Sequence, residues 1–324
     1  MKALCVFSGG LDSLLTAELL RKQGIDVLAV FFETPFFKSD KAVISSARQG
    51  FPFTAVDITD RHLKIVKAPP HGYGSQMNPC IDCHALMFRV AGELLEKEKA
   101  SFVATGEVLG QRPFSQNRNA LSVVAAESGI PDLLLRPLSA KRLPLTLPER
   151  EGWVKRDLLL DLQGRSRKPQ MELAKRFGIT EYEAPAGGCI LTDKTFSRRL
   201  RDLMESRNCR DEIRHIELLL VGRHLRTSPL FKIIVGRDHS ENEKIRALAQ
   251  EEDFVMTAEF FPGPTVLITG CAGEADLNLA ASITLSYSDA EKGCISLVRM
   301  ESGGQNTQIT ATALPRESFR NWMI

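Results

Sequence analysis

The chain has 324 residues, more than one ordinary core accommodates, so two domains are expected. With 43% hydrophobic and 25% charged residues it has the composition of a folded globular protein, and no apolar run is long enough to span a membrane. The net charge of +2 conceals an asymmetry: residues 136–226 hold 20 Lys and Arg against 13 Asp and Glu, a basic middle that suits a polyanionic partner or a set of solvated helices. In chain order, residues 3–7 form a short apolar run that reads as a strand and not as a cleavable signal, and a cytoplasmic location is expected. Leu11, Leu14, Leu15, Leu19 and Leu20 then recur at helical spacing up to Gly24. Residues 25–32 are continuously apolar, as a strand buried on both faces should be.

A polar helix over 38–49, a strand over 53–58, a helix over 82–97 and a strand over 101–105 continue the alternation. Strands alternating with helices predict a doubly wound parallel α/β sheet, with ligands bound beyond the carboxyl ends of its strands. Residues 141–170 carry no clean period over much of their length. A short helix over 169–179 follows, with Pro169 near its start and Gly178 at its end, and then a basic helix over 196–207. From about residue 218 short apolar runs are separated by Gly, Pro and Asp, with one helix over 241–251. This texture predicts a smaller α+β domain. The expected organisation is a catalytic domain over 1–185, a basic linker and helix over 186–217, and the α+β module over 218–324.

The stretch that carries chemistry first is Ser8-Gly9-Gly10-Leu11-Asp12-Ser13, placed where the first strand turns into the first helix. Paired glycines permit positive φ and let main-chain N–H groups converge on an anion, and the helix adds its unpaired amides. Ser8 and Ser13 can donate hydroxyl hydrogen bonds. Asp12 can hold a divalent cation beside a phosphate, or can serve as a helix cap. The spacing matches neither the Walker loop nor the dinucleotide fingerprint.

SGGLDS resembles the pyrophosphate-binding loop of the ATP pyrophosphatase (PP-loop) superfamily, whose members form an adenylate of a carbonyl or carboxyl oxygen and release pyrophosphate. Thr105-Gly106-Glu107-Val108-Leu109-Gly110-Gln111 with Ser115-Gln116, and Arg136-Pro137-Leu138, are similar to segments of ThiI-type tRNA 4-thiouridine synthetases. Asn78-Pro79-Cys80-Ile81-Asp82-Cys83-His84 resembles the NPCxxCN segment of MnmA-type 2-thiouridylases, and Gly187-Gly188-Cys189 supplies a late cysteine of the kind both groups use. The resemblance covers roughly residues 1–195. It implies that residues 8–13 bind the pyrophosphate of ATP, that Asp12 places Mg²⁺, and that Thr105, Gly106 and Glu107 line the nucleotide site. It further implies that Gln111, Ser115 and Gln116 face the adenylate or the target uridine of a tRNA.

Replacing a uracil oxygen by sulfur also needs a sulfur nucleophile. Seven cysteines without an export signal do not suggest disulfides. Cys80 and Cys83 form a C-x-x-C at a helix start, where lowered thiol pKa values are expected. With Cys189 they make three soft ligands, catalytic through Cys80 and Cys189, and suited to a [4Fe–4S] cluster with one open iron as in the cluster-dependent thiolases the chain resembles. A persulfide is the other carrier, and the sulfur donor expected as partner is free sulfide or a cysteine desulfurase. Zinc, with His84 as fourth ligand, is the runner-up metal. Cys5 is expected in the core, and Cys209, Cys271 and Cys294 are assigned to structure.

ThiI-type enzymes carry an N-terminal RNA-binding extension, whereas the loop here begins at residue 8. The strand-like surroundings of Cys271 and Cys294 do not suggest a rhodanese relay and favour the cluster. Residues 220–324 resemble the RNA-binding domain of NFACT proteins through Gly236-Arg237-Asp238 and Asn242-Glu243. With Arg198, Arg199, Arg201, Arg207, Arg210 and Arg214 this module is expected to form a phosphate-tracking surface, or else to serve in packing or homodimer formation. The leading expectation is an ATP-dependent tRNA sulfurtransferase. Two alternatives stand beside it: an amide- or nitrile-forming relative with structural zinc, and an RNA-binding adaptor with a vestigial nucleotide site.

Overall fold

The computed structural model describes residues 1–182, 189–206 and 213–324. Gly187, Gly188, Arg207, Cys209 and Arg210 lie outside the described residues. The chain divides into two compact units, Met1–Thr192 and Asp193–Ile324.

The first unit runs β1 (Lys2–Val6), α1 (Leu11–Arg21), β2 (Asp26–Glu33), α2 (Asp40–Gln49), β3 (Phe53–Asp57), α3 (Thr59–Lys67), α4 (Cys80–Glu93), β4 (Phe102–Thr105), α5 (Arg118–Glu127), β5 (Leu134–Leu135), α6 (Leu147–Arg150) and α7 (Lys168–Phe177). The strands form a parallel sheet in the order β3-β2-β1-β4-β5, the doubly wound arrangement expected from the alternation. Pleating sorts β1 between two cores. Ala3 and Cys5, with Phe7 just beyond the strand, join the cluster built on α1 and α7, while Leu4 joins the cluster built on α4. Leu14, Leu15 and Leu20 of α1 are completely buried, each worth about 1.5–3 kcal/mol. Burial also pushes the Cys5 thiol up to about 12, which makes it the core residue expected.

The order of the strands reverses between β1 and β4, where Val6 pairs with Thr105. The segments after β1 and β4 therefore leave the sheet side by side at the switch point, the usual crevice for a ligand in such sheets. The helix expected from residue 82 begins two residues earlier, because Pro79 ends the preceding loop and Cys80 is already helical. The helix expected over 169–179 is α7, closed by Gly178 at φ +71.

The second unit runs α8 (Lys194–Glu205), α9 (Ile213–Leu218), β6 (Arg223–Ser228), β7 (Phe231–Val235), α10 (His239–Leu248), β8 (Phe254–Ala258), β9 (Val266–Gly270), α11 (Glu274–Ser286), β10 (Ile295–Ser302) and β11 (Gln305–Thr312). Its antiparallel sheet has the order β11-β10-β8-β9-β7-β6. One face packs on α11 and the other on α9 and α10, giving the expected α+β module. The basic helix α8 packs within this unit: its Asp202 accepts from Arg226 at 2.6 and 2.7 Å and from Lys232 at 3.0 Å. Among the described residues no helix is long and apolar enough to cross a membrane.

Candidate active site

At the carboxyl end of β1 the chain turns through Gly9, whose φ of +77 an L side chain rarely adopts and whose absent Cβ would lie 2.9 Å from the backbone of Ala42. Gly10 has an ordinary φ of −81 and is the N-cap of α1, so only one of the two glycines uses the left-handed region. The cap is made without a side chain, and Asp12 stands inside the first turn, not at the cap. Ser13 donates to the carbonyl of Gly10 at 2.8 Å, and its hydroxyl lies 3.4 Å from that of Ser8. Leu11 is core; what it offers the turn is its backbone.

Gly106, after β4, lies against this turn. A Cβ there would stand 2.7 Å from the Asp12 carbonyl carbon and 2.8 Å from the Ser13 nitrogen, so the two loops touch backbone to backbone. The next residue, Glu107, is 3% exposed and holds two partners: Arg136 donates to Oε2 at 2.8 Å, and Nδ1 of His84 lies 2.7 Å from Oε1. Burial alone would raise this carboxyl, but the Arg136 charge and the His84 contact outweigh it and hold the carboxyl below its ordinary value. His84 is thereby oriented by a buried anion.

A cavity of about 350 Å³ opens over these loops. Ser8, Asp12, Ser13, Thr105, Gly106, Glu107, Gln111 and Gln116 line it together with Cys80, Cys83, Cys189 and His84. Gly9, Gly10 and Leu11 shape the turn without lining the cavity, and Ser115 is buried off its wall. The amide of Gln111 is engaged with Asp12 and does not point freely at a ligand, whereas Oε1 of Gln116 is buried with no partner among the described residues. Oδ1 of Asp12 is likewise buried and unpartnered, so this carboxylate keeps one oxygen available for a cation.

The three thiols share one wall but differ in setting. Asn78 donates to the Cys80 sulfur at 3.2 Å. The Cys83 sulfur lies 3.3 Å from Nε2 of His62, a histidine that burial pushes down to about 4 and so keeps neutral. The expected lowering of the C-x-x-C thiols is overturned at Cys83. Burial raises that thiol well above its ordinary value, and the charges of Cys189, Cys80 and Asp82 raise it further; the one-turn advantage of a helix start is smaller than the cost of desolvation. Cys189 is raised too, by burial and then by Cys80. The thiols are thus close enough to oppose one another's ionisation. Their soft donor chemistry suits a cluster or zinc. Among the described residues, however, no group of three or more His, Cys, Asp and Glu is drawn together tightly enough to hold a metal ion. His84, the expected fourth zinc ligand, sets Nδ1 against Glu107, which leaves Nε2 as the nitrogen it could offer a metal. The side chains as placed do not fit a closed metal site.

Sequence reasoning missed His62, Arg112 and the Phe31 and Phe37 wall of the cavity, as well as Arg167, which donates to Asp12 at 2.8 Å. Of the expected phosphate-tracking arginines, Arg199 is spent on the carbonyls of Leu219 and Gly222, and Arg214 on Asp253 and Leu248; Arg198 and Arg201 are exposed. Asn242 is a clip: its Oδ1 accepts from the Thr265 amide at 2.9 Å and fills the space that a Cβ on Gly236 would take. Arg237 pairs with Glu241. Cys271 is exposed and not in the core.

Fold and site together define a doubly wound α/β domain with a phosphate-type loop at its switch point and a thiol-lined cavity above it, carried in one chain with an antiparallel-sheet domain. Residues 1–141 match the family model described as thiamine biosynthesis protein (ThiI), and residues 222–323 match that of the NFACT protein RNA binding domain. Both resemblances read from the sequence are therefore found independently. A probable tRNA sulfurtransferase of Thermoanaerobacter sp. (strain X514) is 31% identical over 146 residues, covering 42% of this chain and 36% of that protein. A tRNA-specific 2-thiouridylase MnmA of Karelsulcia muelleri is 34% identical over 125 residues, covering 34% of this chain and 32% of that protein. The chain thus spans about a third of the length of these curated relatives. A crystal structure of a 4-thiouridine synthetase–RNA complex with bound ATP has 19% identity and a TM-score of 0.34, covering 56% of this chain and 54% of that one, too slight a likeness to bear on function.

Proposed function

We propose that this chain is an ATP-dependent tRNA sulfurtransferase that thiolates a uridine. The observation that carries the reading is that the phosphate-type loop of α1 and the thiols of Cys80, Cys83 and Cys189 open on one cavity. The names of the relatives matched by the first unit support it. In this reading the turn of residues 8–13 holds the pyrophosphate end of ATP, with Ser8 donating its hydroxyl and Ser13, whose proton goes to the Gly10 carbonyl, bracing the turn. Asp12, whose Oδ1 has no partner among the described residues, would hold Mg²⁺, which would supply neutralisation of the phosphate charge. Phe31 and Phe37 offer an apolar wall to a base, and Gln116 offers its unpartnered Oε1 to the adenylate or uridine.

The uracil carbonyl oxygen attacks the α-phosphorus, and pyrophosphate leaves with the broken P–O bond. A sulfur nucleophile then adds to the carbon, and AMP departs with the original oxygen. The sulfur is carried as a persulfide that a cysteine desulfurase loads on one of Cys80 and Cys189, and its outer sulfur adds to the carbon. The other cysteine then attacks the inner sulfur, which breaks the S–S bond, leaves the outer sulfur on the base and forms a disulfide that an external thiol reduces. A cluster, on which the thiols as placed do not close, would instead take free sulfide. The second unit grips the tRNA; its match to an RNA-binding family model and Phe260, 70% exposed and able to stack on a base, support this role.

The test is anaerobic incubation with ATP and tRNA and, in parallel, either sulfide or a cysteine desulfurase with cysteine and a thiol reductant. AMP and pyrophosphate should form in step with a thiolated uridine, and unchanged thionucleosides in tRNA from a deletion strain would exclude the activity. Absorbance of protein purified without air decides the carrier: iron and visible colour support the cluster, and a colourless protein with one tightly held zinc excludes it.

A further inference from the structure

Asp12 is the centre of a polar network that ties the phosphate-type loop to the start of α7. Its Oδ2 accepts from Nε2 of Gln111 at 2.7 Å and from Nη2 of Arg167 at 2.8 Å. Because a carboxylate only accepts, Gln111 must turn its amide nitrogen toward Asp12, and its Oε1 then accepts from Nε2 of Gln170 at 3.0 Å. Gln170 is 1% exposed, fixed on the first turn of α7. Three buried atoms of this one network have no partner among the described residues: Oδ1 of Asp12, Nε of Arg167 and Oε1 of Gln170. Buried polar atoms without partners cost stability, and several in one network mark a place built for something besides the chain itself.

We propose that Arg167 is the positioning residue of the loop: with Gln111 and Gln170 it locks Oδ2 of Asp12, and so aims Oδ1 at the cation that accompanies the phosphates of ATP. The inference rests on the ATP reading above. A carboxylate left alone turns freely between two equivalent faces, and two donors on one oxygen remove that freedom. The guanidinium has a second effect. Paired with Asp12 it makes the site nearly neutral, so a bare divalent cation is held weakly, while a cation that arrives with the negative charge of a nucleotide meets both a ligand and a neighbouring positive charge. Arg167 therefore selects metal–nucleotide over metal alone, something Asp12 by itself cannot do.

Calorimetry with Mg·ATP and paramagnetic titration with free Mn²⁺ separate these effects in the full-length protein. Arg167→Gln should weaken Mg·ATP about tenfold and strengthen free Mn²⁺ several-fold; Arg167→Lys, which keeps the charge, should return Mn²⁺ binding to the wild-type value. Opposite movement of the two affinities is the signature, since a merely structural loss lowers both. Gln170→Leu leaves the loop and Arg167 intact and should weaken Mg·ATP about threefold with Mn²⁺ unchanged, which decides the matter if Arg167→Gln does not fold. Wild-type Mg·ATP affinity in folded Arg167→Gln overturns the role of Arg167, and wild-type affinity in Gln170→Leu overturns the network through which Arg167 and Gln111 are said to lock Asp12. Wild-type protein that binds no Mg·ATP overturns the ATP reading itself, a separate result.

Discussion

Gly106→Ala tests whether the loops after β1 and β4 form one ligand site. The added methyl would stand 2.7 Å from the Asp12 carbonyl carbon and 2.8 Å from the Asp12 oxygen and Ser13 nitrogen, where ordinary contact begins near 3.4 Å. All three atoms are backbone, so no side chain can swing aside, and the loops must part by about 0.7 Å. Overpacking of this kind costs about 1–3 kcal/mol of stability. A functional cost comes in addition, because the displaced atoms are the first turn of α1 and the carboxylate at its head, and a displacement near 1 Å in a positioned group can cost on the order of 100-fold. The expected result is a modest fall in the urea midpoint with a loss of about 100-fold in Mg·ATP affinity, read by calorimetry and denaturation on the same preparation. A variant that binds Mg·ATP like wild type would refute the claim that these loops share a site. A variant that shows no cooperative unfolding transition in urea would mean that the substitution merely unfolds the domain.

Cys189→Ser should leave Mg·ATP affinity unchanged and abolish thiolation of tRNA, measured by nucleoside analysis; normal transfer would remove Cys189 from the chemistry. Arg136→Leu strands a buried carboxylate at Glu107, and should cost about 3–5 kcal/mol in urea denaturation at neutral pH. Since the Glu107 carboxyl is held below its ordinary 4.5, its contribution is complete above that pH and is lost as pH falls through the lower folded value, so the difference between wild type and Arg136→Leu should shrink in acid; a constant difference would refute this. In the second unit, burial pushes Lys232 down to about 8 from 10.5 although Asp202 lies 3.0 Å away. The unfolded chain then holds the proton to higher pH than the folded one, so wild-type stability should rise relative to Lys232→Met by about 2 kcal/mol between pH 7 and pH 10; a flat or falling difference would contradict the burial of this lysine.

Local grammar carried far in this chain. A continuous apolar run, a Gly-Gly turn and five leucines at helical spacing are enough to place β1 and α1, and Pro169 with Gly178 brackets α7. The helix α11 escaped, because Ala280, Ala281, Ile283 and Leu285 bury it on several sides, and such a helix shows no apolar stripe. In the site, residues that share a short motif were legible, and residues joined across the fold were not. Arg167 reaches Asp12 over 155 positions, and His62 reaches Cys83 over 21, with no pattern linking either pair. The direction of the thiol shift was misjudged for a related reason. A helix start can be read from three residues, but the depth at which α4 is buried depends on the whole core of Leu86, Phe88 and Val90 against β1 and β4.

The helices α1 and α4 lie on opposite faces of the sheet, each rooted in its own hydrophobic cluster, yet the phosphate-type loop heading the one and the cysteines heading the other open on the same cavity. The sheet is thus a partition between two trades. Under the proposed function one side would handle the activating phosphates and the other the attacking atom, and the two would meet in the cavity beyond the carboxyl ends of the strands. Such a layout lets the second trade be exchanged while the first is kept. Rewriting residues 78–84, the loop end and first turn of α4, touches no member of the cluster that anchors α1, and under the proposed function it is the natural place to install a different nucleophile against the same activated carbon.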